Sequence, residues 1–268
     1  MKGPLTLISH SARRVRTLVL VMGLVLASFQ IVLNLVAASI HRSNMFDQIG
    51  ALLPGFLQQM TSFVAIMSFA GVVCAGYFHP AVMGCLVGLM IALATETASE
   101  VETGFIDLVL ARPVARHWLV TRSIVLLAAA TLLLLGAMLL GTLTGVRWLA
   151  PEGATGPTPR LLASLAANLG ALVLSWGALA LAVGVISRRR AVAGSIMGVA
   201  AFCAFLLDYL ARLWKPLGSI AWISPFRYYS PMELIMGQPL PTRHLWVLGG
   251  VTLSGFVIAY VLCARRDV

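Results

Sequence analysis

Six apolar stretches dominate the chain, and each is about as long as a bilayer is thick. They occupy residues 17–40, 79–98, 119–145, 161–186, 191–210 and 245–263. A helix needs about 20 apolar residues to cross the hydrocarbon core, and it satisfies all its backbone hydrogen bonds within one segment. The pattern therefore predicts an all-α, polytopic membrane protein whose residues 1–268 form a single transmembrane domain.

A seventh apolar stretch, residues 61–78, raises the question of whether it also crosses. With six crossings and both termini cytoplasmic, 12 of the 19 lysine and arginine residues lie on the inner side, including the cluster at 188–190. A seventh crossing would move that cluster outside, against the positive-inside rule. We therefore predict six spans and an outer-leaflet or re-entrant helix at 61–78.

Composition agrees with this class and removes several functions. The chain is 60% hydrophobic and only 10% charged, far from the values of soluble domains. A net charge of +10 would suggest nucleic acid in a soluble protein. Here the basic residues stand at the ends of apolar runs, where lipid headgroups and topology account for them. The four cysteines lie in apolar segments without CxxC spacing, and no two histidines are four apart, so we predict no metal and no cofactor.

The sequence also lacks the common catalytic motifs. Neither lysine follows a glycine, which excludes a phosphate-binding loop, and the HExxH and GxSxG patterns do not occur. The centres of the spans are essentially uncharged, which disfavours ion-coupled transport. We predict no catalytic residue, so the chain is not expected to be an enzyme, and energy for any transport would come from another protein.

Polar residues within the apolar runs suggest local roles. Gln30 and Asn34 are four apart in the first span, and such amides usually hydrogen-bond to another helix. Asp208 and Arg212 have the same spacing and are predicted to pair within one helix. Residues 213–244 are rich in proline and aromatic side chains, which predicts short interfacial helices folded over the mouth of the bundle.

Three pairs of glycines have the GxxxG spacing that lets membrane helices approach closely. The chain has 24 glycines, so chance matches are expected and the spacing alone does not locate a packing interface. The pairs are Gly84/Gly88, Gly141/Gly145 and Gly194/Gly198.

The stretch 95–122 breaks the apolar pattern, because it holds four of the nine acidic residues and three arginines. Ser99 to Glu102 fits an S-x-x-E capping box, which predicts that a helix begins there. Phe105, Leu108, Val109 and Arg112 then share one face at helical spacing, and Pro113 suits the start of the next helix. We predict a short cytosolic helix at 102–112 whose apolar ridge fits a groove on a soluble partner. The alternative is a helix that rests on the membrane surface.

These residues resemble the type-2 family of ATP-binding-cassette (ABC) transporter permeases. Ser99, Phe105 and Ala115 stand where the family usually has glycine, threonine and serine. The six spans and the sequence SPFRYY at 224–229 are also similar to the family. The positions that match the family pattern are Glu100, Glu102, Gly104, Leu108, Leu110, Pro113, Val114 and Arg116.

The resemblance implies the permease subunit of an ABC exporter in a cell membrane, the inner or plasma membrane of a prokaryote. It would form a homodimer or heterodimer of permeases and bind two cytosolic ATPase subunits, which hydrolyse the ATP. Helix 102–112 would be the coupling helix, with Glu100 and Glu102 pairing with basic residues of the ATPase. The residues implied in coupling are Glu100, Glu102, Gly104, Asp107, Leu108, Leu110, Pro113 and Arg116.

An alternative function is a non-transporting scaffold or assembly factor that recruits a cytosolic partner through residues 100–116. A membrane-embedded enzyme is a third reading, and it suffers from the lack of clustered polar groups. The uncharged spans tolerate a lipid, a hydrophobic drug, a peptide or a polymer as substrate.

Overall fold

The structure, a computed structural model, describes residues 3–43, 68–104 and 117–265. These residues form helices joined by short connections, without a β-strand among them. The α-helices are α1 (Gly3–Arg42), α2 (Phe69–Phe78), α3 (Pro80–Ala94), α4 (Glu96–Glu102), α5 (His117–Leu149), α6 (Pro159–Ile186), α7 (Arg190–Leu213), α8 (Pro231–Ile235) and α9 (Thr242–Arg265). Three 3-10 helices lie between α7 and α8, at Lys215–Ser219, Ala221–Ile223 and Pro225–Tyr228.

Within the described residues, six helical segments are long and apolar enough to cross a membrane, which confirms the all-helical, membrane-type fold. The second of them, at 34 residues, joins α2, α3 and α4 with breaks only at His79 and Thr95. Phe69–Phe78, part of the stretch predicted at 61–78, therefore lies within this candidate span. Residues 61–67 lie outside the described ranges. The six segments are Ser11–Arg42, Phe69–Glu102, His117–Leu149, Pro159–Ile186, Arg190–Leu213 and Thr242–Arg265.

Helices α1 and α5 pack closely and run parallel. A Cβ atom at Gly141 would lie 2.5 Å from the backbone oxygen of Ala27, and one at Gly145 would lie 2.5 Å from the amide of Asn34. Residue numbers rise together along the two helices, so they point the same way. Because α1 and α5 run in the same direction, the chain must cross back once between them. The segment from α2 to α4 is long enough for that crossing.

Helix α6 lies at the centre of the bundle and packs against α3, α5, α7 and α9. Of its most apolar stretch, 72% is buried, compared with 17% for α9. Glycines let its neighbours approach, since a Cβ at Gly255 of α9 would lie 2.8 Å from the carbonyl carbon of Ala178. The core of the protein is therefore assembled around α6.

The buried amides of α1 do not bond as predicted. Asn34 donates its side-chain Nδ2–H to the Gln30 carbonyl at 2.8 Å, within its own helix. Among the described residues, no hydrogen-bond partner meets the Gln30 side chain, which lies over Gly76. The prediction of a bond to another helix is therefore wrong for Asn34. The physical reason is that α1 meets glycines at Gly76 and Gly145, which offer no side-chain partner.

The segment between α7 and α9 consists of short helices, as its prolines predict. Phe226 packs between the rings of Trp176 and Phe205, each with its centroid 5.6 Å away. The Tyr229 hydroxyl donates to the Tyr77 carbonyl at 2.5 Å, and burial raises the pKa of Tyr229. These contacts hold the segment over α2, α6 and α7.

At the same end of α7, Asp208 and Arg212 form the predicted pair within one helix. Arg212 Nη2 lies 2.8 Å from Asp208 Oδ2, and Arg227 approaches the second carboxylate oxygen at 3.9 Å. The pair is confirmed as a local feature of α7.

The close contact between α1 and α5 generates a stability prediction. We expect Gly141→Ala to lower the free energy of unfolding by about 1–3 kcal/mol, because the new methyl group overlaps the Ala27 backbone. Gly136→Ala on the same helix has open space around it, so it should be neutral or stabilising by up to about 1 kcal/mol. Thermal unfolding in detergent compares the two, and an equal effect would contradict this packing.

Candidate functional site

The candidate site is built on α4, the short charged helix that follows α3. Helix α4 begins at Glu96, so Ser99 lies inside it and the predicted capping box at Ser99–Glu102 is wrong. The backbone N–H of Ala98 donates to the carbonyl of Thr95 at 3.0 Å, and Thr95 takes the cap position four residues before the predicted cap Ser99. The Thr95 hydroxyl donates backwards to the Ile91 carbonyl at 2.8 Å and joins α3 to α4.

Glu100 is buried in an ion pair with Arg122 of α5. Arg122 Nη2 donates to Glu100 Oε2 at 2.5 Å, and their side chains are only 3% and 7% exposed. A buried carboxylate is stable as an anion only beside a cation, and each member of this pair supplies the counter-charge of the other. The pair therefore fixes α4 against the first turns of α5.

Glu96 links α4 to two other helices. Its Oε1 lies 2.6 Å from Arg14 of α1, and its Oε2 lies 2.9 Å from Arg190 of α7. Glu96 is largely buried, whereas the two arginines are about half exposed. One carboxylate thus holds the ends of α1 and α7 next to each other.

Glu102 and Arg190 satisfy groups that helix ends leave unpaired. Glu102 Oε2 accepts the backbone N–H of Arg190 at 3.0 Å, and Arg190 is the first residue of α7. A carboxylate at the amino end of a helix interacts favourably with the positive end of the helix dipole. The guanidinium of Arg190 in turn donates to the Ala92 carbonyl at 3.1 Å, near the carboxyl end of α3.

A cavity of about 150 Å³ opens beside these ion pairs. It lies between α1, α4 and α5, and its polar lining includes Ser11, Arg14, Glu96, Glu100 and Arg122. The side-chain carboxylate of each of the three glutamates is engaged by an arginine side chain or by a helix terminus. This chemistry suits a junction that fixes helices relative to one another.

Three of the predicted coupling residues lie within the described part of the chain. Glu100 and Glu102 are in the junction, and Gly104 ends the described segment with a φ of 68°, a left-handed conformation that favours glycine. The predicted helix at 102–112 extends beyond this point. Asp107, Leu108, Leu110, Pro113 and Arg116 lie outside the described residues.

The Glu100–Arg122 pair spans residues 105–116. Its carboxylate stands five residues before that segment begins, and its guanidinium stands six residues after the segment ends. The described residues on either side of 105–116 are therefore held together by one ion pair.

Sequence reasoning missed the partners of these glutamates. Glu96 and Glu100 are four apart, a spacing that puts both on one side of a helix and could have marked a shared role. In the sequence, Arg190 stands out only as part of the basic cluster at 188–190, which indicates topology. Its contact with Glu96 depends on how α7 packs against α4, which local sequence does not reveal.

A second cavity, about 390 Å³ in volume, lies between α3, α7 and Phe226. Its lining is almost entirely apolar and includes Met83, Ile91, Phe202 and Phe205. Three glycines, Gly84, Gly88 and Gly198, also line it, and a Cβ at any of them would meet nothing within 4 Å. Because glycine has no side chain, these three positions contribute to the open space.

The scan against protein-family models and the search of curated proteins both found no match for this chain. The class that the fold defines is a helical protein with six candidate transmembrane helices among its described residues. The junction around α4 is its densest group of described charges, since three ion pairs of Glu96 and Glu100 and one hydrogen bond of Glu102 meet there.

The buried ion pair generates a second stability prediction. Glu100→Gln leaves the Arg122 charge buried without a counter-charge, so we expect a loss of about 3–5 kcal/mol in the free energy of unfolding. The double substitution Glu100→Gln with Arg122→Gln removes both charges and should recover much of that loss. Unfolding in detergent gives the free energy of unfolding of the wild type, the single variant and the double variant.

The matched control is Glu102→Gln, which lies two residues away on an exposed part of α4. Its contact with the α7 terminus is worth no more than about 1 kcal/mol. Equal destabilisation by Glu100→Gln and Glu102→Gln would contradict a special role for the buried pair.

Proposed function

We propose that this chain is the membrane-spanning permease subunit of an ABC exporter, which moves a substrate with ATP hydrolysed by a separate subunit. The observation that carries the proposal is the buried ion pair between Glu100 and Arg122, which flank residues 105–116 in the sequence. This segment bears much of the family resemblance, and both its flanks are held by the Glu100–Arg122 pair. A partner that moved the segment would act on a junction of four helices.

The proposal needs a partner for energetic reasons. The sequence has no phosphate-binding loop, and its spans have essentially uncharged centres. Charge gathers instead at the two ends of the bundle, around Glu96 at one end and Asp208 at the other. An external source of mechanical work, applied at the Glu96 end, is consistent with this distribution.

A route for that work can be followed through the ion pairs. Glu100 connects α4 to α5, and Glu96 connects α4 to α1 and α7. Rigid helices joined by short, charge-assisted contacts move together more readily than helices joined by loops. Displacement of the segment 105–116 would in this way act on four of the six candidate spans, since α4 belongs to the second of them.

The burial of Glu100 refines the roles that the resemblance implies. Its carboxylate already pairs with Arg122, so we assign it the task of positioning the segment within the bundle. Direct contact with the ATPase falls to the exposed Glu102 and to Asp107, Leu108, Leu110 and Arg116. This division separates the residues that hold the segment from the residues that touch the partner.

The apolar cavity between α3 and α7 supports transport of a substrate with a hydrophobic part. It borders two candidate spans and offers carbon-lined space of about 390 Å³. Ligand pockets of this size and lining bind apolar groups. A lipid or a hydrophobic drug fits this feature better than a highly charged solute does.

Co-purification tests the proposal. Tagged full-length chain is isolated from the membranes of its own organism in mild detergent, and associated proteins are identified by mass spectrometry. We expect an ABC ATPase in stoichiometric amount, with ATP hydrolysis that vanishes when the ATPase is removed. Leu108→Asp combined with Leu110→Asp should reduce ATPase recovery by at least about tenfold, the size expected when apolar anchors are lost from a helix groove.

The matched control is Ile220→Asp with Ile223→Asp, two exposed isoleucines between α7 and α8, outside the candidate spans and at the opposite end of the bundle. This pair should retain the ATPase. Recovery of a soluble partner without ATP hydrolysis would favour the scaffold or assembly factor. Absence of any ATPase from the wild-type preparation would overturn the exporter proposal.

A further inference from the structure

Four exposed arginines gather at the Glu96 end of the bundle. Arg14 and Arg190 both pair with Glu96, which brings their neighbours in sequence to the same end. These neighbours are Arg13 and Arg16 on α1, and Arg188 and Arg189 between α6 and α7. We call these four residues, all exposed, the basic collar.

The collar carries charge that the described parts of the chain leave unneutralised. Glu96 is occupied by Arg14 and Arg190, and Glu100 is occupied by Arg122. In residues 3–43, 68–104 and 117–265, none of the collar side chains forms an ion pair with a carboxylate. Within those ranges the four guanidinium groups therefore have no carboxylate partner.

Exposed apolar residues begin within a few positions of each part of the collar. Leu20 is 64% exposed on α1, Ile186 is 54% exposed at the end of α6, and Ile196 is 52% exposed on α7. In a protein of this class such side chains face lipid. The arginines then stand at the level where hydrocarbon gives way to headgroups.

From this juxtaposition we propose that the basic collar binds the phosphate groups of anionic phospholipids at the bilayer surface. Arginine matches phosphate geometry, because its planar N–H groups donate in pairs to two oxygens. The position at the lipid boundary selects phospholipid over a soluble acidic protein as the partner. This inference is independent of the transport proposal.

The binding would also bear on the junction around α4. Lipid phosphates that contact Arg13 and Arg188 lie beside Arg14 and Arg190, the two arginines that hold Glu96. Anionic lipid therefore supplies the negative charge that a concentration of arginines at this end requires. The lipid stabilises the ends of α1 and α7 in their observed positions.

Native mass spectrometry of the detergent-solubilised full chain tests the proposal. The probes are dioleoyl phosphatidylglycerol and dioleoyl phosphatidylcholine, which differ only in the headgroup. We expect tighter binding of phosphatidylglycerol to the wild-type chain. Replacing the four collar arginines with glutamine should weaken phosphatidylglycerol binding by at least about tenfold and leave phosphatidylcholine binding unchanged.

Two matched variants keep the test decisive. Arg147→Gln with Arg160→Gln removes exposed arginines from the ends of α5 and α6 that lie away from the collar, and it should retain the preference. Replacing the four collar arginines with lysine keeps the positive charge and should retain most of the preference for phosphatidylglycerol. Thermal unfolding confirms that each variant is folded.

The proposal is overturned if the glutamine variant keeps its preference for phosphatidylglycerol, or if the Arg147 and Arg160 control loses as much. If the glutamine variant keeps this preference and a soluble acidic protein no longer co-purifies with it, the collar is assigned to a protein partner.

Discussion

A carboxylate buried among apolar helices must have a cation beside it, and Glu100 meets this requirement with Arg122. Each charge would be costly to bury alone, because the interior offers no water to solvate it. The pair therefore fixes α4 and α5 in one relative position. Glu96 extends the same principle to α1 and α7, and Glu102 extends it to the first backbone N–H of α7.

The rest of the bundle is held by packing. Lipid tails are as apolar as leucine side chains, so helices in a membrane gain little from burying hydrophobic surface and depend on close fit. Gly141 and Gly255 provide that fit at two interfaces, and Phe226 with Tyr229 closes the opposite end. One end of the protein thus depends on charge pairs, while most of its length depends on contact between small residues and rings.

This division has a functional consequence. The glutamates that first mark the stretch 95–122 as a site for a partner are used largely within the chain, above all Glu100. We propose two other contacts for partners. They are the apolar ridge predicted from the sequence of residues 105–116, for a soluble ATPase, and the basic collar, for lipid headgroups.

Features that depend on composition and short spacing can be predicted from the amino-acid sequence. Six apolar segments, the pair of Asp208 and Arg212, and the short helices after α7 all follow from residues close together in the chain. The amino-acid sequence did not determine which glycines pack: Gly141 and Gly145 meet α1, whereas Gly84, Gly88, Gly194 and Gly198 face open space.

The start of α4 and its ion pairs were likewise decided only in three dimensions. Arg122 lies 22 residues from Glu100, and Arg190 lies 88 residues from Glu102. Such contacts depend on the register between packed helices, and no local pattern fixes that register. The chain alone marked residues 95–122 as charged, and the tertiary structure decided which of those charges face inward.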